Sequence, residues 1–314
     1  MAKPLQIEPQ DNFFDLGLLK NWNQERFIKK ENIDSKKPLK PKPFLKWAGG
    51  KRQLINQFHD LKLLSPTNFD QKKSNYIEPF IGGGAVFFEA LPTNAIIADL
   101  NEDLIKTYNT IKNNVEELIK NLKLYKNEKD FYLNIRNLNS KELSDLEVAS
   151  RFIYLNKTCF NGMYRVNKSG KFNVPFGRYS NPQICDESNL RAVSQILKNV
   201  TIENNDYKLT LEKAKKGDFI YLDPPYYPIS KTSSFVSYTN KDFHANEQID
   251  LCKKIIELDE KGCFVMLSNS DCDFIRNLYS DLKNFKLYQV FATRAINSDA
   301  SKRGKISEIV IANY

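Results

Sequence analysis

Two consecutive prolines directly follow a short apolar run, and this junction constrains the fold more than any other feature of the chain. Phe219 to Leu222 has the composition of a buried strand. The next four residues are Asp223, Pro224, Pro225 and Tyr226. Because proline breaks the interior of a strand, the chain has to leave the sheet here. The sequence therefore predicts a carboxylate, a proline carbonyl and an aromatic ring at the carboxyl edge of a sheet, where open α/β sheets bind ligands.

These three groups suit the methylation of an exocyclic amine on a nucleobase. The lone pair of such an amine is delocalised into the ring, and two acceptors for its hydrogens draw the nitrogen toward tetrahedral geometry. A carboxylate and a carbonyl are such acceptors, and the Tyr226 ring offers a face on which a flipped base can stack. A simple strand-ending turn is the alternative, because Asp, Pro and Tyr are all common in turns.

Length, charge and cysteine usage narrow the class of protein. The 314 residues suffice for one large domain or two smaller ones. The net charge of +9 favours nucleic acid as a partner over an acidic membrane surface, although many basic proteins bind neither. No apolar run approaches transmembrane length, and the N-terminus lacks the apolar core of a signal peptide. Five cysteines without a CxxC pair predict no disulfide framework, no metal site and a cytoplasmic location.

The pattern of apolar runs predicts an α/β fold from about residue 43. Predicted strands lie at 76–77, 95–98, 200–202, 219–222 and 263–267. Predicted helices lie at 85–91, 104–124 and 249–258. Only a short polar link separates the last two strands, 285–291 and 306–311, so we expect them to pair as an antiparallel hairpin. The expected fold is a Rossmann-like sheet with a C-terminal antiparallel hairpin and an inserted, mainly helical module.

Composition divides the chain into three parts. Residues 1–42 are basic and interrupted by prolines near their end, and we interpret them as an extension of unknown role. Its upstream aromatic residues could form an amphipathic element that docks on the body. Residues 43–115 and 195–314 carry the α/β pattern and form the predicted catalytic domain. Residues 116–194 are rich in aromatic, Asn and basic residues and form the predicted target-recognition domain.

A glycine-rich turn follows the first predicted strand. The run from Phe80 to Gly84 ends in three glycines, which let a backbone approach a ligand closely. Asp99 ends the next strand, where an acidic residue can bind both hydroxyls of a ribose. Phe87 stands where a dinucleotide fingerprint has its third glycine, so the pattern suits S-adenosylmethionine better than NAD. A tight turn with a surface aspartate is the alternative.

Two other segments offer groups for the same ligand. Asp206 follows a predicted strand and could accept a hydrogen bond from an adenine amino group, with Tyr207 against the ring. A helix N-cap is the alternative for Asp206, and the two roles are compatible. Further upstream, Trp47 and Lys51 flank a flexible turn, although a tryptophan is more often part of a core.

Three short motifs occur one after another along the chain. They are Lys46-Trp47-Ala48-Gly49-Gly50-Lys51, then Glu78-Pro79-Phe80-Ile81-Gly82-Gly83-Gly84, then Asp223-Pro224-Pro225-Tyr226. This order resembles that of the Dam-type DNA adenine methyltransferases, over residues 43–314. The runs 161–167, 172–179 and 303–308 are similar too, and the likeness is closest to GATC-modifying members. The resemblance implies transfer of a methyl group from S-adenosylmethionine to N6 of a flipped adenine in double-stranded DNA.

The resemblance also implies roles by matching position. Residues expected to hold the cofactor are Trp47, Lys51, Phe80, Gly82, Asp99, Asp206 and Tyr207. Residues expected to act on the flipped adenine are Asp223, Pro224, Pro225 and Tyr226. Residues expected to contact DNA are Lys46, Phe160, Asn161, Met163, Arg165 and Pro175.

Within the DNA-contacting set, the resemblance places Lys46 at the first guanine and Phe160 in the gap left by the flipped base. Arg165 suits guanine because its fork donates to two acceptors, and Met163 and Pro175 suit a thymine methyl. The alternatives are a phosphate contact for Arg165 and simple packing for Met163.

Rival functions make different demands on the sequence. A cytosine-N4 methyltransferase shares the chemistry, but its motif more often begins with Ser than with Asp. A cytosine ring-carbon enzyme needs a nucleophilic cysteine, and no cysteine here follows a proline. A non-catalytic DNA-binding protein on the same scaffold would not need Asp223 and Tyr226. We expect double-stranded DNA as partner, no membrane, a monomer, and a cognate restriction endonuclease only as a companion without a stable complex.

Overall fold

The computed structural model describes residues 39–228, 243–293 and 304–314. All of these residues belong to one compact unit. The amphipathic element expected in the N-terminal extension lies outside the described residues. The division of residues 43–314 into a catalytic and a target-recognition domain stays a prediction.

One mixed sheet of seven strands forms the centre of the described part. The strands are β1 Tyr76–Glu78, β2 Ala95–Ala98, β3 Val200–Glu203, β4 Phe219–Leu222, β5 Phe264–Ser270, β6 Lys286–Thr293 and β7 Lys305–Ala312. Their order is β3-β2-β1-β4-β5-β7-β6. The first five strands pair in parallel, whereas β7 runs antiparallel to both β5 and β6. The predicted Rossmann-like sheet with its C-terminal antiparallel hairpin is therefore confirmed.

Helices cover both faces of this sheet, as expected when parallel strands are joined by crossovers. Those in the described part are α1 Ile55–Asp60, α2 Ala85–Ala90, α3 Glu102–Asn113, α4 Val115–Leu122, α5 Lys129–Asn137, α6 Asp145–Thr158, α7 Glu187–Leu197, α8 Tyr207–Glu212, α9 Ala245–Glu260 and α10 Asp273–Tyr279. None of them is long and apolar enough to cross a membrane.

The single helix predicted at 104–124 was wrong in one respect. The structure has two helices there, because Asn114 leaves the helical region with φ −135° and ψ 41°. Leu118 and Leu122 of the second helix are nevertheless buried, like Leu104 of the first. The apolar periodicity that suggested one long helix thus reflects which residues are buried. This pattern of burial continues across the one-residue break at Asn114.

The inserted segment is mainly helical, as predicted. Its longest helix, α6, begins with a capping box in which Ser144 and Glu147 satisfy each other's free backbone N–H groups. The helix is buried on nearly all sides and packs against α3 of the α/β core. This packing fixes the loop that follows α6, which carries Phe160 and Asn161, relative to the sheet.

The open edge of the sheet at β6 is covered by two glutamines. Gln57 Nε2 donates to the Phe291 carbonyl at 2.9 Å, and its Oε1 accepts from the Phe291 N–H at 2.9 Å. Gln53 makes the same pair of bonds with Thr293, at 3.3 and 2.8 Å. These bonds satisfy backbone groups that an edge strand leaves free. They also tie the segment that contains Lys51 to the hairpin that contains Glu308.

Candidate active site

The proline pair ends β4 at the carboxyl edge of the sheet. β4 is buried throughout, and Pro224 behind it is buried while Pro225 is exposed. The Pro225 carbonyl accepts from Gln248 Nε2 at 3.0 Å. No described group donates to the Pro224 carbonyl, so this acceptor is available to a ligand beside Asp223.

Buried amides from two other elements hold the turn after β4. Asn269, on β5, donates to Gln248 Oε1 at 2.9 Å and accepts from the Tyr227 N–H at 3.2 Å. Ser270 donates to the Tyr227 carbonyl at 2.8 Å. Because these side chains are fully or almost fully buried, each lost bond would leave an unsatisfied polar group. The network therefore fixes the backbone that carries Pro224 and Tyr226.

The Asp223 carboxylate forms an ion pair with Lys51. Nζ of Lys51 lies 2.7 Å from Oδ1 and 2.8 Å from Oδ2, and it also donates to the Gly49 carbonyl at 2.6 Å. Burial raises the pKa of Asp223, Lys51 opposes that rise, and the charge of Glu308 adds to it. The Lys51 ammonium, which the resemblance assigns to the cofactor, thus lies at the Asp223 carboxylate.

Tyr226 is held from two directions. Its hydroxyl donates to Glu308 Oε2 at 2.7 Å, and the Lys51 ammonium lies 4.7 Å from the centre of its ring. Burial and the neighbouring carboxylates Asp223 and Glu308 hold the pKa of Tyr226 well above its ordinary value. The phenol is therefore a hydrogen-bond donor at neutral pH.

A further carboxylate lies behind the site. Glu78, at the end of β1, is 2% exposed and accepts a hydrogen bond of 2.5 Å from the Tyr76 hydroxyl. Burial raises the pKa of Glu78 well above its ordinary value, and Asp223 contributes to that rise. Burial therefore disfavours the ionised form of Glu78, which lies behind Asp223. The sequence shows Glu78 only as the first residue of a motif, without a role.

The glycine turn and Asp99 lie together at the next strand end. Asp99 Oδ2 accepts from the Gly82 N–H at 3.0 Å, and Oδ1 accepts from the Asn101 N–H at 2.9 Å. Both bonds fix the carboxylate at the end of β2 and leave a lone pair free on each oxygen. Burial raises the pKa of Asp99, and these backbone donors oppose the rise. The carboxylate is thus a preorganised acceptor for hydroxyl groups.

The space beside the glycine turn is filled by Trp47. A Cβ at Gly82, where φ is +44°, would lie 2.6 Å from the indole Nε1. The other side of the indole stacks on Tyr164, at 5.8 Å between ring centres and 22° between planes, and near Phe152. The close approach that glycine allows here is made by a tryptophan of the chain itself. Trp47 therefore links the glycine turn to the loop that holds Met163 and Arg165.

The remaining cofactor candidates form a separate aromatic wall. Phe80 and Tyr207 stack at 5.3 Å with 28° between ring planes, and Phe243 packs against both. Asp206 is the N-cap of α8, since its side chain accepts from the Lys208 N–H at 2.9 Å. The N-cap alternative is thus realised, and the second carboxylate oxygen faces no described donor.

Asn156 joins two segments that the sequence assigns to DNA contact. Its Oδ1 accepts from the Lys46 N–H at 2.9 Å, and its Nδ2 donates to the carbonyls of Lys46 and Gly162 at 2.8 and 3.0 Å. The Lys46 ammonium lies 5.1 Å from the centre of the Tyr179 ring. Phe160, two residues before Gly162, is 47% exposed, which is unusual for a phenylalanine and is required of a wedge.

The other predicted base readers lie in the same loops. The Phe160 N–H donates to the Pro175 carbonyl at 2.8 Å, so these two predicted DNA-contacting residues lie side by side. Exposed Arg165 donates through Nε to Asn173 Oδ1 at 2.7 Å. Met163 is half-buried and packs on the core of the inserted segment. Asn161 has φ 56°, a left-handed conformation that turns the loop between Phe160 and Met163.

Sequence reasoning missed the residues that support these groups. Asn156, Gln248 and Asn269 are buried amides, and the only signal in the sequence is a polar side chain within an otherwise apolar stretch. Glu308 lies in a run that carries the resemblance, but nothing in that run indicates the contact with Tyr226.

The fold and the turn after β4 together define a methyltransferase that acts on an amino group of a base. The chain matches the D12 class N6 adenine-specific DNA methyltransferases over residues 47–296, and it belongs to this family. It is therefore an enzyme that methylates the N6 amine of adenine in DNA. The alternatives of a cytosine-N4 enzyme and of a non-catalytic binding protein are set aside by this match.

Several characterised proteins are similar over almost their whole length. The type II methyltransferase M.MjaIII of Methanocaldococcus jannaschii is 45% identical, over 88% of this chain and 100% of that protein. The type II methyltransferase M1.LlaDCHI of Lactococcus lactis subsp. cremoris is 41% identical, over 90% and 99%. The DNA adenine methylase of Escherichia coli (strain K12) is 33% identical, over 86% and 95%.

Proposed function

We propose that this enzyme transfers the methyl group of S-adenosylmethionine to N6 of an adenine flipped out of duplex DNA, within the sequence GATC. The observation that carries the proposal is the cluster at the end of β4. There the Asp223 carboxylate, the Pro224 carbonyl, to which no described group donates, and the Tyr226 ring lie at one edge of the sheet. Only β1 separates β4 from β2, at whose end Asp99 lies.

The acceptor groups and aromatic rings at the ends of β1 to β3 suit S-adenosylmethionine. Asp99 keeps a lone pair on each oxygen, which matches the two hydroxyls of a ribose. Phe80 and Tyr207 offer apolar ring surface for an adenine, and Asp206 offers an acceptor for its amino group. When bound, this cofactor supplies an electrophilic methyl group on a positively charged sulfur.

The residues of the chain prepare the amine to attack that methyl group. Asp223 and the Pro224 carbonyl each accept one N6 hydrogen, which localises the nitrogen lone pair. Tyr226 stacks on the base and sets its plane. The N6–carbon bond forms as the carbon–sulfur bond breaks, and the surplus proton leaves N6 by way of Asp223.

Lys51 favours the ionised form of Asp223 and leaves room for a target amine. A carboxylate has about four acceptor positions, and the Lys51 ammonium occupies only two of them. A target amine can therefore bind Asp223 without displacing Lys51. The positive charge opposes the effect of burial on the pKa of Asp223 and so favours the ionised carboxylate, which is the form that accepts hydrogen bonds.

The assignment to GATC relies on the base readers. We propose that Lys46 contacts the first guanine, that Phe160 fills the gap left by the flipped adenine with Asn161 beside it, and that Arg165 reads the other guanine. Met163 and Pro175 provide apolar contact for a thymine methyl. Their support is that the loops of Lys46 and Phe160 are joined by Asn156, and that Phe160 is exposed.

The names of the similar proteins indicate the kind of cellular system in which this enzyme acts. Since two of the similar proteins are named type II methyltransferases, we propose that this enzyme belongs to a restriction-modification system. We further propose that it acts in the cytoplasm as a monomer and that it forms no stable complex with a cognate restriction endonuclease.

The cofactor proposal is tested by Asp99→Ala. We expect the variant to bind S-adenosylmethionine more weakly by roughly 1.5–3 kcal/mol, because two hydroxyls lose a charged acceptor. Isothermal titration calorimetry of both proteins measures this difference. Asp250→Ala is the matched control, since Asp250 is an exposed carboxylate that pairs with Lys208 and Lys253. An unchanged affinity for Asp99→Ala would remove Asp99 from the cofactor site.

The specificity proposal is tested on random-sequence DNA. The enzyme is incubated with S-adenosylmethionine that carries a labelled methyl group, and the modified base and its neighbours are mapped. We expect label on N6 of adenine within GATC. Label on adenine in another sequence would overturn the GATC assignment and leave the chemistry in place.

A further inference from the structure

We propose that Glu308 is a positioning residue for methyl transfer, and that it acts by holding the Tyr226 ring in the orientation on which the target adenine stacks. The inference rests on the proposed stacking role of Tyr226. It is carried by the hydrogen bond of 2.7 Å from the Tyr226 hydroxyl to Glu308 Oε2.

Glu308 is well placed to fix another side chain. It lies on β7, which has a strand on each side, and its backbone is paired with Ser270 of β5 and Val290 of β6. The Glu308 carboxylate thus projects from a rigid part of the sheet toward the turn after β4.

Tyr226 needs such a partner because its backbone has left the sheet. An aromatic ring on a turn can rotate about two side-chain bonds, and stacking on a base is productive only in a narrow range of ring planes. The Lys51 ammonium, 4.7 Å from the ring centre, restrains the ring on one face. Together with the bond to Glu308 at the hydroxyl, this contact leaves the opposite face to the base.

The presence of a hydroxyl on Tyr226 also supports the positioning role of Glu308. Stacking requires only a ring, and phenylalanine would provide one. In the part of the chain that the structure describes, Glu308 is the hydrogen-bond partner of the Tyr226 hydroxyl. The hydroxyl is therefore a means of orienting the ring, and removing it should have the same effect as removing Glu308.

A double-mutant cycle tests this equivalence. Glu308→Ala, Tyr226→Phe and the double variant are compared with the wild type in single-turnover methylation of a GATC duplex with saturating S-adenosylmethionine. We expect about a 10-fold loss of rate for each single variant, as for one hydrogen bond to a charged group. The double variant should lose about 10-fold as well, and not about 100-fold, because both substitutions remove one contact.

Three further variants separate this role from a structural one. Glu308→Gln keeps an acceptor oxygen and should stay within about threefold of the wild-type rate. Ser307→Ala perturbs the same strand without touching Tyr226 and should leave the rate unchanged. Tyr226→Ala should lose more than Tyr226→Phe, and a wild-type rate for Tyr226→Ala would overturn the stacking role of Tyr226 on which the inference rests.

The outcomes are distinct. A wild-type rate for Glu308→Ala, or losses that multiply in the double variant, would overturn the positioning role while the function of Tyr226 stands. If Glu308→Ala does not fold, Tyr226→Phe removes the same bond without altering β7. A wild-type rate for Tyr226→Phe would then overturn the positioning role.

A second readout is the fluorescence of a duplex with 2-aminopurine at the target position. We expect the bound fluorescence of Glu308→Ala to match that of Tyr226→Phe and to differ from that of Ser307→Ala.

Discussion

Asp223→Ala is expected to lower the rate of methyl transfer by about 10²–10³-fold, because it removes a preorganised acceptor at the reacting nitrogen. The affinity for S-adenosylmethionine should stay close to that of the wild type, since the contacts proposed for Phe80, Asp99 and Tyr207 lie at the ends of β1 to β3. Single-turnover methylation and calorimetry measure the two quantities separately. A transfer rate within about threefold of the wild type would contradict the catalytic role of Asp223.

The structure shows which control this experiment needs. The Lys51 side chain is 4% exposed, and in Asp223→Ala its ammonium loses its carboxylate partner. Removing one partner of a buried ion pair typically costs about 3–5 kcal/mol of stability. Asp223→Asn keeps an acceptor oxygen for Lys51 and should be the more stable variant, with a loss of rate of similar order. Thermal unfolding of both variants therefore separates lost chemistry from lost folding.

The pH dependence of the rate gives an independent check on Asp223. Only the ionised carboxylate accepts freely from the target amine, so the rate should fall as pH decreases through the pKa of Asp223. Burial raises that pKa above the ordinary value of 3.8, so the fall should begin at a higher pH than for an exposed aspartate. Asp223→Asn should lack this acid limb. A profile with the same acid limb in the wild type and in Asp223→Asn would assign the limb to another group.

The sequence predicted the architecture well because the apolar runs are short and clearly bounded. All seven predicted strands are present, and the proline pair lies where β4 leaves the sheet. The junction is readable because proline imposes a local rule that tertiary structure cannot override. The break at Asn114 was not readable, because asparagine is tolerated within helices and the apolar periodicity continues beyond it.

The parts of the site that were not predicted depend on contacts between distant segments. Lys51 and Asp223 are 172 positions apart, and Tyr226 and Glu308 are 82 apart. The local sequence around each of these residues shows a charged side chain after a turn or within a strand, which is common. Only the order of the strands brings them together, since β7 inserts between β5 and the edge strand β6.

The same reasoning applies to Trp47 and Gly82. The sequence indicates that the glycine turn permits a close approach, but it does not show what approaches. In the structure the indole of Trp47 fills that space, and Tyr164 stacks on its other side. A cofactor would therefore lie along Asp99 and the aromatic wall of Phe80 and Tyr207.

Arg165→Ala is expected to relax the sequence preference at one position of the recognition site. If the Arg165 fork reads a guanine, its loss should reduce discrimination at that base by about 1–3 kcal/mol. The structure supports the geometry, because Asn173 binds Nε of Arg165 and orients the guanidinium. Nη2 of the exposed guanidinium also donates to the Asn173 carbonyl at 3.4 Å, so two contacts with Asn173 fix its orientation.

A matched variant distinguishes base reading from phosphate contact. Lys171 is exposed in the same loop region, and Lys171→Ala should weaken methylation of every sequence alike if it contacts DNA at all. Methylation rates of both variants and of the wild type are measured on GATC and on its singly substituted forms. A uniform loss for Arg165→Ala would place the guanidinium at a phosphate. Asn173→Ala removes the side-chain acceptor of Arg165 Nε and leaves only the longer bond from Nη2 to the backbone carbonyl. Discrimination should therefore fall in that variant, while general DNA affinity stays nearly unchanged.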